Sequence, residues 1–190
     1  LPNNKRPIAA PVSSTVARRA RAIRVLLVDV DGVMTDGHVW LLSQPDGSTL
    51  ELKSFHSQDG AGLTILKLAG FRTGLITGRS SAAVTRRAAE CGMDFVYQGV
   101  PVKIPIYEEI LTRAGVHDAE VAYVGDDLPD IPVMKRVGLA VAVANAMPEV
   151  KRAAHYTTAH SGGNGAVREV VELLLKAQGR WEEMIDKARA

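Results

Sequence analysis

V-L-L-V-D-V-D-G-V-M-T, residues 25–35, sets two carboxylates two positions apart at the end of an apolar run. Val25, Leu26, Leu27 and Val28 are continuously hydrophobic, which suits a strand covered on both faces, as in a parallel sheet. Asp29 and Asp31 follow at once, and Gly32 lets the chain turn. Residues two apart in an extended segment point to one side, so both carboxylates share a pocket if that geometry persists. Such crowding of negative charge is unfavourable unless something neutralises it, and a divalent cation with oxygen ligands does so well. An acidic turn ending an ordinary strand is the plainer reading, but other strand ends supply matching chemistry.

Outward from this stretch, β and α patterns alternate. The segments G-H-V-W-L-L-S and S-T-L-E-L-K-S flank the turn Q-P-D-G at 44–47, which predicts a hairpin insertion over 37–53. Its strands read as apolar on both sides, and an isolated ribbon needs another surface, its own domain or a second subunit. D-G-A-G-L-T-I-L-K-L-A-G reads as a helix ending at Gly70, F-R-T-G-L-I-T as a strand, and S-S-A-A-V-T-R-R-A-A-E-C-G as a helix stopped by Gly92. The strand F-V-Y-Q-G, a helix with Ile106, Ile110 and Leu111 at helical spacing, and the strand V-A-Y-V-G-D-D come next. A short helix, L-A-V-A-V-A, a helix from Pro148, H-Y-T-T and a long helix over 165–178 follow. Repeated units of this length predict a Rossmann-like, doubly wound parallel α/β sheet joined by right-handed crossovers.

The length of 190 residues fits one domain, assigned to 22–180. Residues 1–21 read as a flexible N-terminal arm: three prolines, no long apolar stretch, and Lys5, Arg6, Arg18, Arg19 and Arg21 with no acid. That segment holds a charge of +5, so the rest of the chain carries −3 and offers no basic nucleic-acid surface. Residues 181–190 read as a polar helical tail. No run approaches a membrane span. The single cysteine, Cys91, excludes an internal disulfide and suits a reducing, cytoplasmic setting.

Reactive groups in such sheets gather at the carboxyl ends of strands. Thr77, Gly78 and Arg79 follow one strand, Asp126, Asp127 and Asp130 a later one, and Lys103 lies just beyond a third. A phosphate monoester resists attack, so a site must position it and neutralise its oxygens. Asp29 serves as nucleophile, and Asp31 as the acid that protonates the leaving alkoxide and the base that later activates water. Mg²⁺ would sit on Asp29 and Asp126, with a backbone carbonyl near Asp31. Lys103 places positive charge at the phosphate, Thr77 donates its hydroxyl, and the helix start after Gly78 offers backbone N–H groups. Asp130 holds Lys103 or a metal-bound water. The five histidines show no metal-ligand spacing. His56 fits either substrate contact or an ordinary surface position, and spacing does not choose between Arg86 and Arg87.

The strings D-V-D-G-V-M-T, I-T-G-R, Lys103 and G-D-D-L-P-D resemble the four motifs of the haloacid dehalogenase-like phosphatases. K-S-F-H-S-Q-D-G-A-G, V-Y-Q-G and G-G-N-G-A-V-R-E-V-V-E-L-L-L-K-A-Q-G extend the resemblance to capless members acting on phosphorylated acidic sugars. The resemblance implies hydrolysis of the 8-phosphate of an eight-carbon acidic sugar of lipopolysaccharide precursor synthesis. It also implies Mg²⁺ dependence, no cap domain, and a homotetramer built through the hairpins. The rivals are a nine-carbon sialic-type 9-phosphate as substrate, or a noncatalytic oligomerising subunit. By the same resemblance, substrate contacts fall on Asp31, Phe55, His56, Ser57, Gln58, Asp59, Leu63, Gly78, Arg79, Arg87 and Lys103. Arg suits a sugar carboxylate because its planar fork binds one bidentately.

Overall fold

The apolar run at 25–28 becomes a fully buried strand, and the sheet grows outward from it. The structure, a computed structural model, describes residues 12–189. Ahead of that strand lies α1 (Ser14–Ala22), whose N-terminus is capped by the Ser13 hydroxyl accepting the Val16 N–H at 3.3 Å. β1 (Val25–Val28) leads through a tight turn to a hairpin, β2 (Trp40–Ser43) and β3 (Thr49–Leu52). Helix and strand then alternate: α2 (Ser57–Leu68), β4 (Arg72–Ile76), α3 (Ala82–Glu90), β5 (Phe95–Tyr97), α4 (Lys103–Ala114) and β6 (Val121–Gly125). The short α5 (Ile131–Met134), β7 (Leu139–Ala142), α6 (Pro148–Ala153) and β8 (Tyr156–Thr157) precede α7 (Ala166–Ala177) and α8 (Trp181–Arg189).

The main sheet has six parallel strands in the order β5-β4-β1-β6-β7-β8. This is the expected doubly wound α/β architecture, with a hairpin insertion and no cap domain among the described residues. The chain leaves β1 toward β4 and β5, then returns to β6 on the other side. The switch point therefore lies at β1, where a crevice opens beyond the strand ends. Its core is aliphatic: β1, β6 and β7 are buried throughout, and α7 covers one face with Val167, Val170, Val171 and Leu174.

The hairpin turn follows the sequence closely. Gln44 and Gly47 close it through Gly47 N–H to Gln44 C=O at 3.0 Å, and Gly47 adopts φ +83. The register pairs Trp40 with Leu52, Leu41 with Glu51 and Leu42 with Leu50. One face is therefore wholly apolar, with Trp40, Leu42, Leu50 and Leu52, while Glu51 sits on the other beside Leu41. That corrects the expectation of a ribbon apolar on both sides.

The arm assigned to 1–21 needs a second correction. Residues 1–11 lie outside the described residues, but 14–22 are helix, with Val16 and Ala20 buried in the common core. Arg19 donates to Gly138 C=O at 2.8 Å and Arg21 to Ala177 C=O at 3.2 Å, so these arginines tie the helix down. The tail from 181 is helical as expected, and it packs: Met184 is buried and the Trp181 ring lies 5.1 Å from the Arg168 guanidinium. No helix among the described residues is long and apolar enough to cross a membrane.

Gly74, in β4, sits where β1 and β5 close in. A Cβ there would meet Phe95 Cβ at 2.5 Å and Leu27 Cδ2 at 3.1 Å. Gly74→Ala should lower stability by about 1–3 kcal/mol through overpacking. A urea midpoint equal to the parent's would contradict this packing.

Candidate active site

β1 and β6 run side by side with Val28 level with Val124, and the Asp29 N–H continues the ladder to Val124 C=O at 2.9 Å. Asp29 and Asp126 thus emerge next to each other at the switch point. Gly32 makes room for this. It adopts φ +87, and a Cβ there would lie 2.0 Å from Asp126 Oδ2. Around them opens a cavity of about 410 Å³, lined by Asp29, Asp31, Thr77, Arg79, Lys103 and Asp126 together with Gly78, Asp127 and Asp130.

Lys103 is the first residue of α4, yet it is buried. Its Nζ lies 2.9 Å from Asp29 Oδ1 and 2.7 Å from Asp130 Oδ1, and donates to Tyr123 OH at 3.0 Å. Asp130 is committed on both oxygens. Oδ1 takes Lys103 and the Tyr123 hydroxyl (2.7 Å), and Oδ2 accepts the N–H groups of Asp126 (2.9 Å) and Asp127 (3.2 Å). It anchors Lys103 and shapes the loop that carries Asp126.

Asp29, Asp126 and Asp130 each offer an oxygen within 4.8 Å of the others. Asp126 Oδ1 is buried with no hydrogen-bond donor, while Asp29 Oδ1 has only the Lys103 ammonium that it shares with Asp130. Burial pushes the Asp126 carboxyl up to about 8, with Asp29 and Asp130 adding repulsion. Burial likewise raises Asp29 to about 6, against the pull of Lys103. Burial opposes the Lys103 ammonium, but Asp29 and Asp130 outweigh it and its pKa rises. One lysine does not balance three carboxylates, and the orphaned Asp126 oxygen beside the Asp29 carboxylate is what a hard divalent cation would satisfy. Asp29 and Asp126 fit such an ion. Asp130, already saturated, serves it less well.

The Asp31 side chain turns elsewhere, and only a backbone carbonyl near it is expected at the metal. Its Oδ1 pairs with Lys53 Nζ, and its Oδ2 lies 3.7 Å from Arg79 Nε. The helix after Thr77 also starts later than expected. α3 begins at Ala82, and the Ser81 N–H is taken by Gln98 Oε1 at 2.7 Å, so Gly78 and Arg79 themselves line the cavity.

A haloacid dehalogenase-like hydrolase family model matches residues 93–170. The 3-deoxy-D-manno-octulosonate 8-phosphate phosphatase of Yersinia pestis is 44% identical over 172 residues, covering 90% of each chain. The crystal structure of the Yersinia pestis phosphatase superposes with a TM-score of 0.87, covering 91% of both chains at 44% identity. That of the Moraxella catarrhalis phosphatase, in complex with a magnesium ion, a phosphate ion and a KDO molecule, gives a TM-score of 0.85 at 38% identity, covering 90% of this chain and 97% of that one. The chain belongs to the 3-deoxy-D-manno-octulosonate 8-phosphate phosphatase family of haloacid dehalogenase-like hydrolases.

Measured against that family's expected substrate contacts, the structure divides the residues. Phe55, Ser57 and Arg87 line a second depression of about 340 Å³ together with Lys53, Ala83 and Arg86. The two arginines left open by spacing differ here. Arg86 reaches solvent, whereas Arg87 packs over Gly60 and donates to His56 C=O at 3.2 Å. His56 is half-buried just before α2, with Nδ1 unpartnered, and Gln58 is exposed. Two expected contacts are not available to a ligand. Leu63 is wholly buried in the core, and Asp59 is spent on α7, accepting Arg168 N–H at 2.8 Å and Gly165 N–H at 3.3 Å. That carboxylate serves as a remote helix cap.

Sequence reasoning passed over three residues at the site. Lys53 and Glu51 reach it from the hairpin. Asn145 joins the two loops that flank Asp29, donating to Gly32 C=O at 3.1 Å and accepting Gly162 N–H at 2.7 Å. The alternation of Glu51 and Lys53 along an otherwise apolar strand was the available signal.

With Asp29 and Asp126 both raised above their unfolded values, the folded, metal-free protein binds more protons between about pH 4 and 8. Its melting temperature should therefore fall as pH rises across that window. Magnesium must displace those protons, so its stabilising effect should be larger near pH 8 than near pH 5. Thermal melts with chelator and with millimolar Mg²⁺ test this, and equal shifts at both pH values would contradict it.

Proposed function

We propose that this chain is a Mg²⁺-dependent phosphatase that hydrolyses 3-deoxy-D-manno-octulosonate 8-phosphate to the free sugar and inorganic phosphate, a step in lipopolysaccharide precursor synthesis. The observation that carries the reading is the close Asp29–Asp126 pair beside Lys103 at the sheet's switch point. Relatives at this identity bear the same activity in their names.

Asp29 attacks phosphorus in line with the ester oxygen. The P–O bond to the sugar breaks as the bond to Asp29 forms, and the leaving alkoxide takes a proton from Asp31. Asp31, now a carboxylate, then removes a proton from water as that water attacks the aspartyl-phosphate. Phosphate leaves and Asp29 is restored. Lys103 sets a fixed positive charge against the transferring oxygens, kept in place by Asp130 at 2.7 Å. The Thr77 hydroxyl and Gly78 border the same space. Magnesium held by Asp29 and Asp126, with the main-chain oxygen at Asp31, would supply the charge that lets phosphate enter a ring of acids. The second depression, with Phe55, Ser57 and Arg87 on its walls, suits the body and carboxylate of an acidic sugar.

The hairpin's apolar face is proposed as the assembly surface of a homotetramer. Trp40 is 59% exposed and Leu42 51%, with Leu50 and Leu52 beside them. Burying each such side chain is worth about 1.5–3 kcal/mol. Trp40→Asp should lower the mass of the particle in solution, and light scattering giving an unchanged mass would refute the assembly.

Substrate and nucleophile are tested together by phosphate release. The eight-carbon 8-phosphate should be turned over in preference to a nine-carbon sialic-type 9-phosphate, only with Mg²⁺, and Asp29→Asn should reduce turnover to background. Equal or reversed preference would remove the substrate assignment, and parent-like activity in Asp29→Asn would remove the nucleophile.

A further inference from the structure

Lys53 is the least expected charge in the molecule. It follows the last residue of β3, at the rim of an exposed hairpin, yet its side chain is only 1% exposed. An ammonium so placed needs partners, because burying an unpaired charge is strongly unfavourable. It has two: Asp31 Oδ1 and, at 3.4 Å, Glu51 Oε1. Glu51 Oε2 in turn holds Arg79 Nη2 at 2.5 Å, and Arg79 Nε faces Asp31 Oδ2 at 3.7 Å. The four groups close a ring of alternating charge, Asp31–Lys53–Glu51–Arg79, in which each oxygen of Asp31 faces a different cation.

The geometry points to Lys53 as a positioning residue that fixes the Asp31 carboxyl for proton transfer to the departing sugar oxygen, with Glu51 holding Lys53 in place. This rests on the reading of Asp31 as the acid. Asp29 and Asp31 leave the same turn, and Asp126 lies close by. Without the ring, Asp31 is free to swing among rotamers, and misplacement of a catalytic group by a fraction of its reach costs rate. The ring also fastens the hairpin to the catalytic turn, since Glu51 and Lys53 belong to the insertion and Asp31 to the β1 turn.

The test is the dependence of kcat/KM on leaving group, which reports steps through departure of the alcohol. Phenyl and p-nitrophenyl phosphate are alike in size, and only the poorer leaving group, phenol, needs a well-placed acid. Lys53→Met should lower kcat/KM about tenfold or more for phenyl phosphate and less than about threefold for p-nitrophenyl phosphate, with Lys53→Arg recovering part of the loss. Glu51→Gln should shift in the same direction, which guards against a folding defect in one variant. Asp31→Asn is measured alongside. If Asp31→Asn shows the leaving-group dependence and neither hairpin variant does, the positioning role is overturned and the acid stands. If Asp31→Asn lacks it too, the assignment of the acid fails and takes the proposal with it. An equal loss on both esters, or a rise in KM for the sugar phosphate alone, assigns Lys53 to binding and also overturns the proposal.

Discussion

The site depends on holding the carboxyls of Asp29 and the half-buried Asp126 close together at the floor of the cavity. Buried like charges at that range cannot both stay ionised unaided, and the molecule spends one lysine on them without balancing the account. The arrangement is costly to the fold and useful to the chemistry. A phosphate ester carries negative charge, and a site that needs cationic help to exist is one where a hard cation and then a dianion can be taken up in turn. Packing makes the arrangement possible. Gly32 lacks the Cβ that would collide with Asp126, Asp130 is saturated by two backbone N–H groups, and the aliphatic strands beneath allow no retreat.

A second level of organisation joins distant segments to this centre. Gly162 packs so tightly on the Gly32 carbonyl that a Cβ would lie 1.7 Å from it, with Asn145 bonded to both. Asp59 then ties the start of α7 to α2 from the other side. The hairpin enters through Glu51 and Lys53 while its opposite face stays bare. One strand thus serves two surfaces, charged toward the turn after β1 and apolar on the exposed side. Period-two alternation allows both from four residues.

Much of this could be read from the chain. The buried run before Asp29, the acids after V-A-Y-V-G and the Q-P-D-G turn are local signals, and each fell where its pattern placed it. What escaped was set by distant partners. Asp59 looks the same in sequence whether it faces a ligand or caps a helix 106 residues away. Leu63 occupies a helix position whose inward face only packing reveals. Arg18, Arg19 and Arg21 read as a charged arm because the acid-free stretch drew attention from Val16, Ala20 and Ile23, which recur at helical spacing after a Ser13 cap. Lys53 needed the hairpin to fold back before its ammonium had anything to meet.

The central claim is that Asp29 and Asp126 are held so close that one carboxyl keeps its proton until a cation replaces it. Carbon-13 NMR of labelled aspartate carboxyls, followed across pH in the metal-free protein, reads this directly. The account predicts one carboxyl titrating far above the usual range, with Asp126 at about 8, and loss of that titration when Mg²⁺ is added. If Asp29 and Asp126 both titrate as ordinary surface carboxylates without metal, the two are not crowded and the account is wrong.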